Sequence, residues 1–364
     1  MNFIFLQNSL VFSNMKDFFL KKYSMNDLTS GNISAIVEYT LVEDSIKYPT
    51  SPLLDKTQVP FSTPDFPLTP IYIFCPESSI TLITEVLKKY PYVPHFNKCE
   101  QLFKRQETIT YYNAAYIDDS EREFLVKNIE YGVNVMPLVD FLESKNRYTE
   151  VSLLNGDYFL NKEAFSVLRN RTKIATKRFF DIIYATLLLV LLSPVMLITA
   201  IAIKLESKGS LFYRQKRLGL YNIEFEVIKF RSMTANAEAN GAQWAQKNDP
   251  RATKVGNFIR KTRIDEIPQL FNIIRGEMSL IGPRPERAVF IEMLKTAIPY
   301  YEFRHVIKPG LTGWAQVKYP YGASIEDGMW KHMYDMYYIK HQSFWFDFKI
   351  ILSTIRVVLA GLGR

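Results

Sequence analysis

The feature that most constrains this chain is an apolar run from Ile182 to Ile203, which contains no charged side chain. A helix of that length can cross a bilayer, because about 20 apolar residues span its hydrocarbon core. Ser193 and Pro194 lie in the middle, where proline removes a backbone hydrogen bond and bends a helix. Cationic clusters flank both ends, whereas a spanning helix usually has an orienting bias. The residues alone leave open a kinked spanning helix and a re-entrant segment that enters and leaves one leaflet.

Charge is distributed unevenly along the 364 residues, whose formal net charge is +8. Residues 1–170 carry 16 Lys and Arg against 21 Asp and Glu, whereas residues 171–364 carry 29 against 16. A basic half beside an apolar run favours anionic lipid, phosphate or nucleic acid as a partner. The two cysteines, Cys75 and Cys99, have no metal-type spacing and fit a reducing compartment.

The residues before the apolar run divide into an N-terminal segment, 1–70, with a proline-rich linker, and a small α/β domain, 71–170. In the second part, strand-like and helix-like patterns alternate, which is typical of a parallel sheet. The turn after its first strand, residues 74–79, has no glycine, so this Rossmann-like domain lacks a dinucleotide fingerprint and a structural or regulatory role is predicted. We predict strands at Ile71–Phe74, Ala114–Ile117 and Val133–Met136, and helices from Ser78 to about Tyr90 and from Ser120 to Tyr131.

Two adjacent carboxylates, Asp265 and Glu266, directly follow a cationic segment that contains Arg260, Lys261 and Arg263. Nearby cations stabilise ionised acids, so we expect both carboxylates to be charged. An ionised Asp is a potential nucleophile, and an ionised Glu is a potential ligand for a hard divalent cation. The competing interpretation is an ordinary helix start, because acidic residues complement the helix dipole and Pro268 suits a first turn.

Other basic residues are candidate phosphate contacts. Arg214, Lys229 and Arg231 lie in two segments after the apolar run, where they suit a pyrophosphate or lipid phosphate and equally a simple attraction to headgroups. Arg284 stands between Pro283 and Pro285, which predicts a guanidinium presented at low entropic cost; a rigid surface turn is the alternative.

Near the C-terminus, Phe344 to Leu359 is rich in Phe, Ile and Val. This segment predicts either an amphipathic helix at a membrane interface or an ordinary core helix.

Several motifs follow one another through the basic half, and the ordered set is far more specific than any one of them. They are Lys177-Arg178 with Asp181 before Ser193-Pro194, Tyr213-Arg214-Gln215, Lys229-Phe230-Arg231-Ser232-Met233, Asn248-Asp249-Pro250-Arg251, Arg260 through Pro268, Gly282-Pro283-Arg284-Pro285, and Lys308-Pro309-Gly310-Leu311-Thr312-Gly313-Trp314. On this set, the chain from Lys177 onward resembles the monotopic polyprenyl-phosphate phosphoglycosyl transferases of the bacterial sugar transferase family. It looks most like the exopolysaccharide-priming members, which carry an extra N-terminal region.

The resemblance implies a two-step transfer of a sugar 1-phosphate from a UDP-sugar to undecaprenyl phosphate, with release of UMP. Asp265 would be the nucleophile that forms a covalent phosphosugar intermediate, and Glu266 would bind Mg²⁺. The implied location is the cytoplasmic face of the bacterial inner membrane, with membrane lipids as partners and a re-entrant helix broken at Ser193 and Pro194. The candidate substrate-binding residues are Arg214, Lys229, Arg231, Arg260, Arg263 and Arg284.

The predicted fold class is an α/β N-terminal domain followed by a mainly α-helical (α+β) monotopic membrane catalytic domain, residues 171–364, with interfacial amphipathic helices. Two other functions are weighed against the transferase. A catalytically dead membrane scaffold is disfavoured by the intact acidic pair. A nucleic-acid-binding protein is disfavoured because the basic residues flank an apolar run and no nucleic-acid motif is present, so we expect no nucleic-acid partner. The sequence leaves open which sugar is used and whether the protein is a homo-oligomer.

Overall fold

The computed structural model describes residues 69–99, 103–105, 107–160, 165–234, 249–319, 322 and 324–359. The predicted N-terminal segment and its linker lie outside the described residues, apart from Thr69 and Pro70, and so does Asn248. The division of the chain at residues 70 and 170 stays a prediction.

A parallel sheet with the strand order β2-β1-β3-β4 forms the α/β region, which confirms the predicted sheet type. Helix α1 (Glu77–Leu87) connects β1 with β2, and α2 (Asp119–Glu130) connects β3 with β4. Apolar side chains of the central strand β1 are fully buried, as expected where helices cover a parallel sheet. The strands are β1 (Thr69–Phe74), β2 (Tyr92–Phe96), β3 (Thr108–Tyr111) and β4 (Asn134–Pro137).

One strand prediction is wrong, and the sequence pattern does not predict strand β2. The segment Ala114–Ile117 forms a 3₁₀ turn at Ala114–Tyr116 rather than a strand, and the strand lies earlier, at β3. The side chain of Asn113 accepts a hydrogen bond from the backbone N–H of Ala115, and such a local bond favours a turn. Strand β2 is not predicted because Pro94 interrupts the strand-like sequence pattern. The strand forms nevertheless, because it lies at the edge of the sheet, where a proline is tolerated.

The helix boundaries are also corrected. Helix α1 has Pro76 at its N-cap and no side-chain hydrogen bond there, so Ser78 is not the cap, and the helix ends at Leu87 rather than near Tyr90. Helix α2 begins with a capping box between Asp118 and Glu121, which stabilises a helix start by about 1 kcal/mol. Two short helices follow the sheet, α3 (Leu138–Asn146) and α4 (Gly156–Leu160).

The apolar run forms the long helix α5 (Arg171–Glu206), 36 residues with exposed side chains such as Leu187, Val190 and Leu191. Among the described residues it is the one helix long and apolar enough to cross a membrane. The helix continues through Pro194. Proline has no N–H for the carbonyl of Val190, and the hydroxyl of Ser193 donates to that oxygen instead, at 2.8 Å. Ser193 therefore satisfies the freed carbonyl.

Beyond α5, the described residues are mainly helical and form two small sheets. An antiparallel hairpin pairs β5 (Phe212–Leu218) with β6 (Glu224–Phe230), and a parallel pair joins β7 (Ser279–Ile281) to β8 (Gly310–Thr312). The backbones beyond β7 and at β8 approach so closely that a Cβ on Gly282 would lie 2.4 Å from the carbonyl oxygen of Lys308, which requires glycine there. The helices are α6 (Lys254–Lys261), α7 (Gln269–Arg275), α8 (Ala288–Ala297), α9 (Trp314–Lys318), α10 (Ile325–His341) and α11 (Phe344–Leu359).

Both ends of α5 are bound to this helical region. At the start, the guanidinium of Arg178 donates to the carbonyls of Ile273 and Ile274 at the end of α7 (2.6 and 2.9 Å). At the end, the carboxylate of Glu206 accepts a hydrogen bond from the backbone N–H of Val255 in α6, at 3.1 Å. The two flanks of the apolar run are therefore attached to neighbouring parts of one folded body.

Helix α11 exposes one apolar face. Its apolar side chains at positions i, i+4, i+8 and i+11 lie on that face and are about half exposed, whereas Ile350 is fully buried on the other side. This arrangement favours the interfacial amphipathic helix over the core helix, because an exposed apolar stripe suits a membrane surface. The exposed residues are Phe344, Phe348, Leu352 and Ile355, with Trp345 beside them.

The α/β region docks onto α10 through a buried ionic cluster. The ammonium of Lys340 lies 2.6 Å from Asp140 Oδ1 and 2.7 Å from Glu143 Oε2. Glu143 is 2% exposed, and its other oxygen accepts a hydrogen bond from Thr149. Burial by itself would raise the pKa of Glu143, but hydrogen bonding to His341 and the charge of Lys340 outweigh it and lower the pKa. The buried carboxylate therefore depends on its partners from α10.

We predict that Lys340→Met destabilises the fold by about 3–5 kcal/mol at neutral pH, because it leaves the buried charge of Glu143 without its main counter-charge. Chemical unfolding of the detergent-solubilised protein would measure this. The folded pKa of Glu143 is lowered, so the stabilisation is present above the unfolded pKa of about 4.3 and is lost as the pH falls below it. The difference between variant and wild type should therefore narrow in acid.

The matched control is Lys145→Met, which removes an exposed lysine from α3 in the same part of the structure. It should change the free energy of unfolding by less than about 0.5 kcal/mol. Equal stability of Lys340→Met and Lys145→Met would contradict a docking role for the buried cluster.

Candidate active site

The predicted acidic pair lies in a 3₁₀ turn, Ile264–Glu266, between α6 and α7. Arg263 precedes it in the left-handed region, with φ of 61°, so the chain changes direction sharply. Asp265 is 7% exposed and Glu266 is 6% exposed. Acidic residues that only begin a helix stay in water, because burying a charge is costly unless it is paired. The burial of both carboxylates therefore favours a site over a simple helix start.

Three cations converge on one oxygen of Glu266. Its Oε1 atom lies 2.6 Å from Arg284 Nη2, 3.0 Å from Lys229 Nζ and 3.5 Å from Arg263 Nη1. Burial alone would raise the pKa of Glu266, but these charges, that of Arg284 foremost, hold it well below the usual range. Glu266 is therefore a fixed anion that gathers basic side chains from three parts of the chain.

Asp265 has a different environment. Its Oδ1 atom is buried and accepts no hydrogen bond from the part of the chain that the structure describes. Burial, and after it the charge of Glu266, raise the pKa of Asp265 to about 6, although the three cations oppose the change. The cations make their closest contacts with Glu266, so they offset only part of the effect of burial on Asp265. Its carboxylate is ionised near pH 7 but weakly solvated, as suits a nucleophile.

Arg284 is held on both sides of its guanidinium. Besides the bond to Glu266, its Nη1 atom donates to the side-chain oxygen of Gln316 at 2.8 Å. The Glu266 charge raises its pKa further above the ordinary value, so the side chain stays cationic. The structure therefore places Arg284 beside the acidic pair rather than in a free surface turn.

Arg214 lies outside this cluster. Arg214 is paired with Ile228 across the β5–β6 hairpin, and successive residues of a strand point to opposite faces. Arg214 therefore lies on the face opposite to the one that carries Lys229. Its exposed guanidinium is 3.5 Å from Glu226.

Arg231 and Arg260 also have other neighbours. The guanidinium of Arg231 donates to the carbonyls of Ser207 (2.7 Å) and Lys208 (3.0 Å), where it fixes the exit from α5. Arg260 lies 3.9 Å from the buried carboxylate of Asp249. Substrate-binding roles for all six basic candidates stay predictions, and the structure brings three of them, Lys229, Arg263 and Arg284, together at Glu266.

The structure adds Arg217 and Gln316 to the cluster. Arg217 lies on the same face of β5 as Tyr213, and Tyr213 is paired with Lys229 across the hairpin. The guanidinium of Arg217 is 3.6 Å from the carboxylate of Glu286. The two-residue period from Tyr213 could have indicated Arg217 in the sequence. Gln316 has no comparable signal, because only the folding of α9 against the Arg284 loop brings the two side chains together.

A groove of about 1020 Å³ adjoins the acidic pair. Its lining combines Arg263 and Glu266 with apolar side chains from both membrane-type helices, α5 and α11. A charged group and a long apolar chain could therefore be bound side by side. The apolar lining includes Phe180, Tyr184, Leu188, Leu192, Phe348, Ile351 and Ile355.

The acidic pair fits a magnesium ion better than a metal with a complete protein cage. Mg²⁺ is usually held by one or two carboxylates together with substrate phosphates and water. Asp265 offers a buried oxygen without a hydrogen-bond partner. No group of three or more His, Cys, Asp or Glu side chains suited to a metal occurs among the described residues.

Comparisons with known proteins agree with the geometry. The family model for bacterial sugar transferases matches residues 172–361, just over half of the chain. A UDP-N-acetylgalactosamine-undecaprenyl-phosphate N-acetylgalactosaminephosphotransferase from Aeromonas hydrophila is 46% identical over 207 residues, which cover 57% of this chain and 49% of that protein.

Two further relatives are named as glucose-1-phosphate transferases. UDP-glucose:undecaprenyl-phosphate glucose-1-phosphate transferases from Escherichia coli K12 and Xanthomonas campestris pv. campestris are 43% identical over 181 residues and 36% identical over 244 residues. These matches cover 49% and 66% of this chain, and 39% and 50% of the relatives. The chain spans about half the length, or less, of these three relatives. By the match over residues 172–361, this protein belongs to the bacterial sugar transferase family.

Proposed function

We propose that this protein transfers a sugar 1-phosphate from a UDP-sugar to undecaprenyl phosphate and releases UMP, as the priming step of exopolysaccharide synthesis. The observation that carries the proposal is the buried pair Asp265 and Glu266, in which Glu266 contacts three cations and lines an apolar groove. A pyrophosphate requires cations, and a polyprenyl chain requires an apolar surface. The names of the family's relatives support the same reaction.

In the first step, a carboxylate oxygen of Asp265 attacks the β-phosphorus of the UDP-sugar. The bond from that phosphorus to the bridging oxygen breaks, and UMP leaves with the electron pair. The product is a phosphosugar joined to Asp265 as an acyl phosphate. Arg284, Lys229 and Arg263 would stabilise the negative charge that develops on the phosphoryl oxygens.

In the second step, a phosphate oxygen of undecaprenyl phosphate attacks the phosphorus of the Asp265 adduct. The bond to Asp265 breaks, its carboxylate is restored, and the lipid carries a diphosphate sugar. Covalent catalysis of this kind divides one difficult displacement into two easier ones. It also allows a soluble and a lipid substrate to use the same carboxylate in turn.

We further propose Mg²⁺ as the cofactor, held by Glu266 and Asp265 together with the substrate phosphates. When bound, the ion would neutralise part of the pyrophosphate charge. Glu266 has a second task that the sequence did not suggest, because its Oε1 atom aligns the three cations.

We propose that α5 is re-entrant and that the catalytic region lies on the cytoplasmic face of the inner membrane. The bonds from Arg178 to α7 and from Glu206 to α6 support this topology, because one folded body lies on one side of a bilayer. A spanning helix would place these two attachments on opposite sides of the hydrocarbon core, which is roughly 30 Å thick.

A UMP-release screen with purified protein, undecaprenyl phosphate and a panel of UDP-sugars tests the reaction. The names of the relatives make UDP-N-acetylgalactosamine and UDP-glucose the first substrates to try. Release of UMP with one of the panel, dependent on the lipid for repeated turnover, is the expected result. No release with any UDP-sugar would contradict the proposal and favour a scaffold.

We predict that Asp265→Asn abolishes formation of the covalent adduct, because the amide cannot replace the attacking anion. Radiolabelled UDP-sugar without lipid should label the wild type and leave Asp265→Asn unlabelled. Glu266→Gln should be labelled slowly, since its neutral amide releases the cations but leaves the nucleophile in place. Magnesium should partly restore Glu266→Gln and never Asp265→Asn.

The matched control is Glu292→Gln, an exposed acid on α8 that should label like the wild type. A label that maps to a residue other than Asp265 would overturn the mechanism.

Adduct formation should depend on the pH through Asp265. Its pKa is raised to about 6, and only the ionised form attacks, so the single-turnover rate should fall as the pH decreases through that value. Arg263 lowers this pKa, so Arg263→Gln should move the acid limb to higher pH. A rate independent of pH from about 5 to about 8 would argue against Asp265 as the titrating group.

We predict that single cysteines at Arg169 and Lys216, in a background without Cys75 and Cys99, react from the same side of the membrane. Both positions are exposed and lie on either flank of α5. A membrane-impermeant maleimide applied to inverted vesicles should label both, and applied to spheroplasts neither. Labelling from opposite sides would establish a spanning helix.

A further inference from the structure

A second buried ion pair lies behind Arg284. Arg304, in the 3₁₀ segment Tyr301–Val306, is 2% exposed, and Asp335 on α10 is 1% exposed. The guanidinium of Arg304 donates to Asp335 Oδ2 at 2.8 Å and to the hydroxyl of Tyr301 at 2.6 Å. Neither residue is among those proposed to contact the substrate.

The same guanidinium reaches the Arg284 loop. Arg304 Nη2 donates to the backbone carbonyl of Arg284 at 3.1 Å. The two residues that flank Arg284, Pro283 and Pro285, have no backbone N–H, so this loop has few donors of its own with which to fix its position. A bond from a buried, ion-paired guanidinium replaces part of that missing network.

The guanidinium of Arg284, at the other end of the residue from this carbonyl, is the group that would contact phosphate in the proposed reaction. Its guanidinium bridges Glu266 and Gln316, while its carbonyl is held by Arg304. A side chain that must meet a phosphate with both N–H groups tolerates little displacement of its backbone, because bidentate geometry is directional. Holding the carbonyl therefore restricts where the guanidinium can be placed.

We propose that Arg304 is a positioning residue for Arg284, and that Asp335 and Tyr301 orient Arg304 for this task. The inference rests on the proposed function, since it assigns a role in aligning the phosphate-binding arginine. A buried ion pair that served only the stability of the core would have no such effect on the phosphate site.

A double-mutant cycle separates the two roles. Arg304→Lys keeps the charge but cannot donate to three acceptors in one plane, and Arg284→Lys removes the bidentate group itself. We expect each single change to lower kcat for UMP release by about tenfold or more. If Arg304 acts through Arg284, adding Arg304→Lys to Arg284→Lys should cost less than about twofold further. Multiplication of the two losses would overturn the proposal.

Lys340→Met is the control for a purely structural effect, because it disturbs a buried ion pair on the same helix without a bond to Arg284. Its effect on kcat should multiply with that of Arg284→Lys. If Arg304→Lys does not fold, Asp335→Asn carries the same cycle, since its amide oxygen keeps an acceptor for Arg304.

Calorimetric binding of UDP provides a readout independent of turnover. Arg304→Lys should bind UDP more weakly than the wild type, and the same change should have no effect on UDP affinity when Arg284 is already Lys. This result supports the positioning role even if the proposed chemistry is wrong. Wild-type protein that binds UDP but releases no UMP would contradict the proposed function alone. Equal UDP affinity and equal kcat in Arg304→Lys and the wild type would contradict the positioning role alone, and wild-type protein without either activity would contradict both.

Discussion

The convergence of three cations on Glu266 is the interaction on which the candidate site depends. Lys229 comes from a hairpin, Arg263 from the turn itself and Arg284 from a proline-bounded loop, and all three meet at one carboxylate oxygen. The buried anion makes it possible to hold these cations together without a substrate, because unpaired charges are costly away from water. Asp265 differs from its neighbour, because its buried Oδ1 atom accepts no hydrogen bond from the described residues.

The membrane-type helices are placed by the same folded body. The start and the end of α5 are bound to α7 and α6, and α11 presents its apolar face beside a groove that reaches Glu266. A water-soluble nucleotide sugar and a membrane lipid could therefore meet at one carboxylate, which is the geometric requirement of the proposed reaction.

The α/β region contributes through its attachment to α10. That helix bears Lys340, which neutralises Glu143 of the α/β region, and Asp335, which holds Arg304 behind the Arg284 loop. The indole N–H of Trp314 also donates to the carbonyl of Arg147 in the α/β region. Trp314 lies two residues before Gln316, which accepts a hydrogen bond from Arg284. The docking of the two regions and the alignment of Arg284 thus share structural elements.

Local sequence patterns determined the elements, and tertiary packing determined the partners. The apolar run predicted a membrane-type helix, because hydropathy is a short-range property of the chain, and the ordered set of motifs carried the resemblance to the family. Local sequence patterns also predicted strands at β1 and β4, whereas Pro94 interrupts the pattern of the edge strand β2, which was not predicted. Which basic residue reaches Glu266 could not follow from local pattern. Arg214 and Lys229 face opposite sides of one hairpin, and a shift of one residue in register would exchange those faces. Only the packing of that hairpin against the turn at residues 264–266 selects Lys229 and leaves Arg214 in solvent.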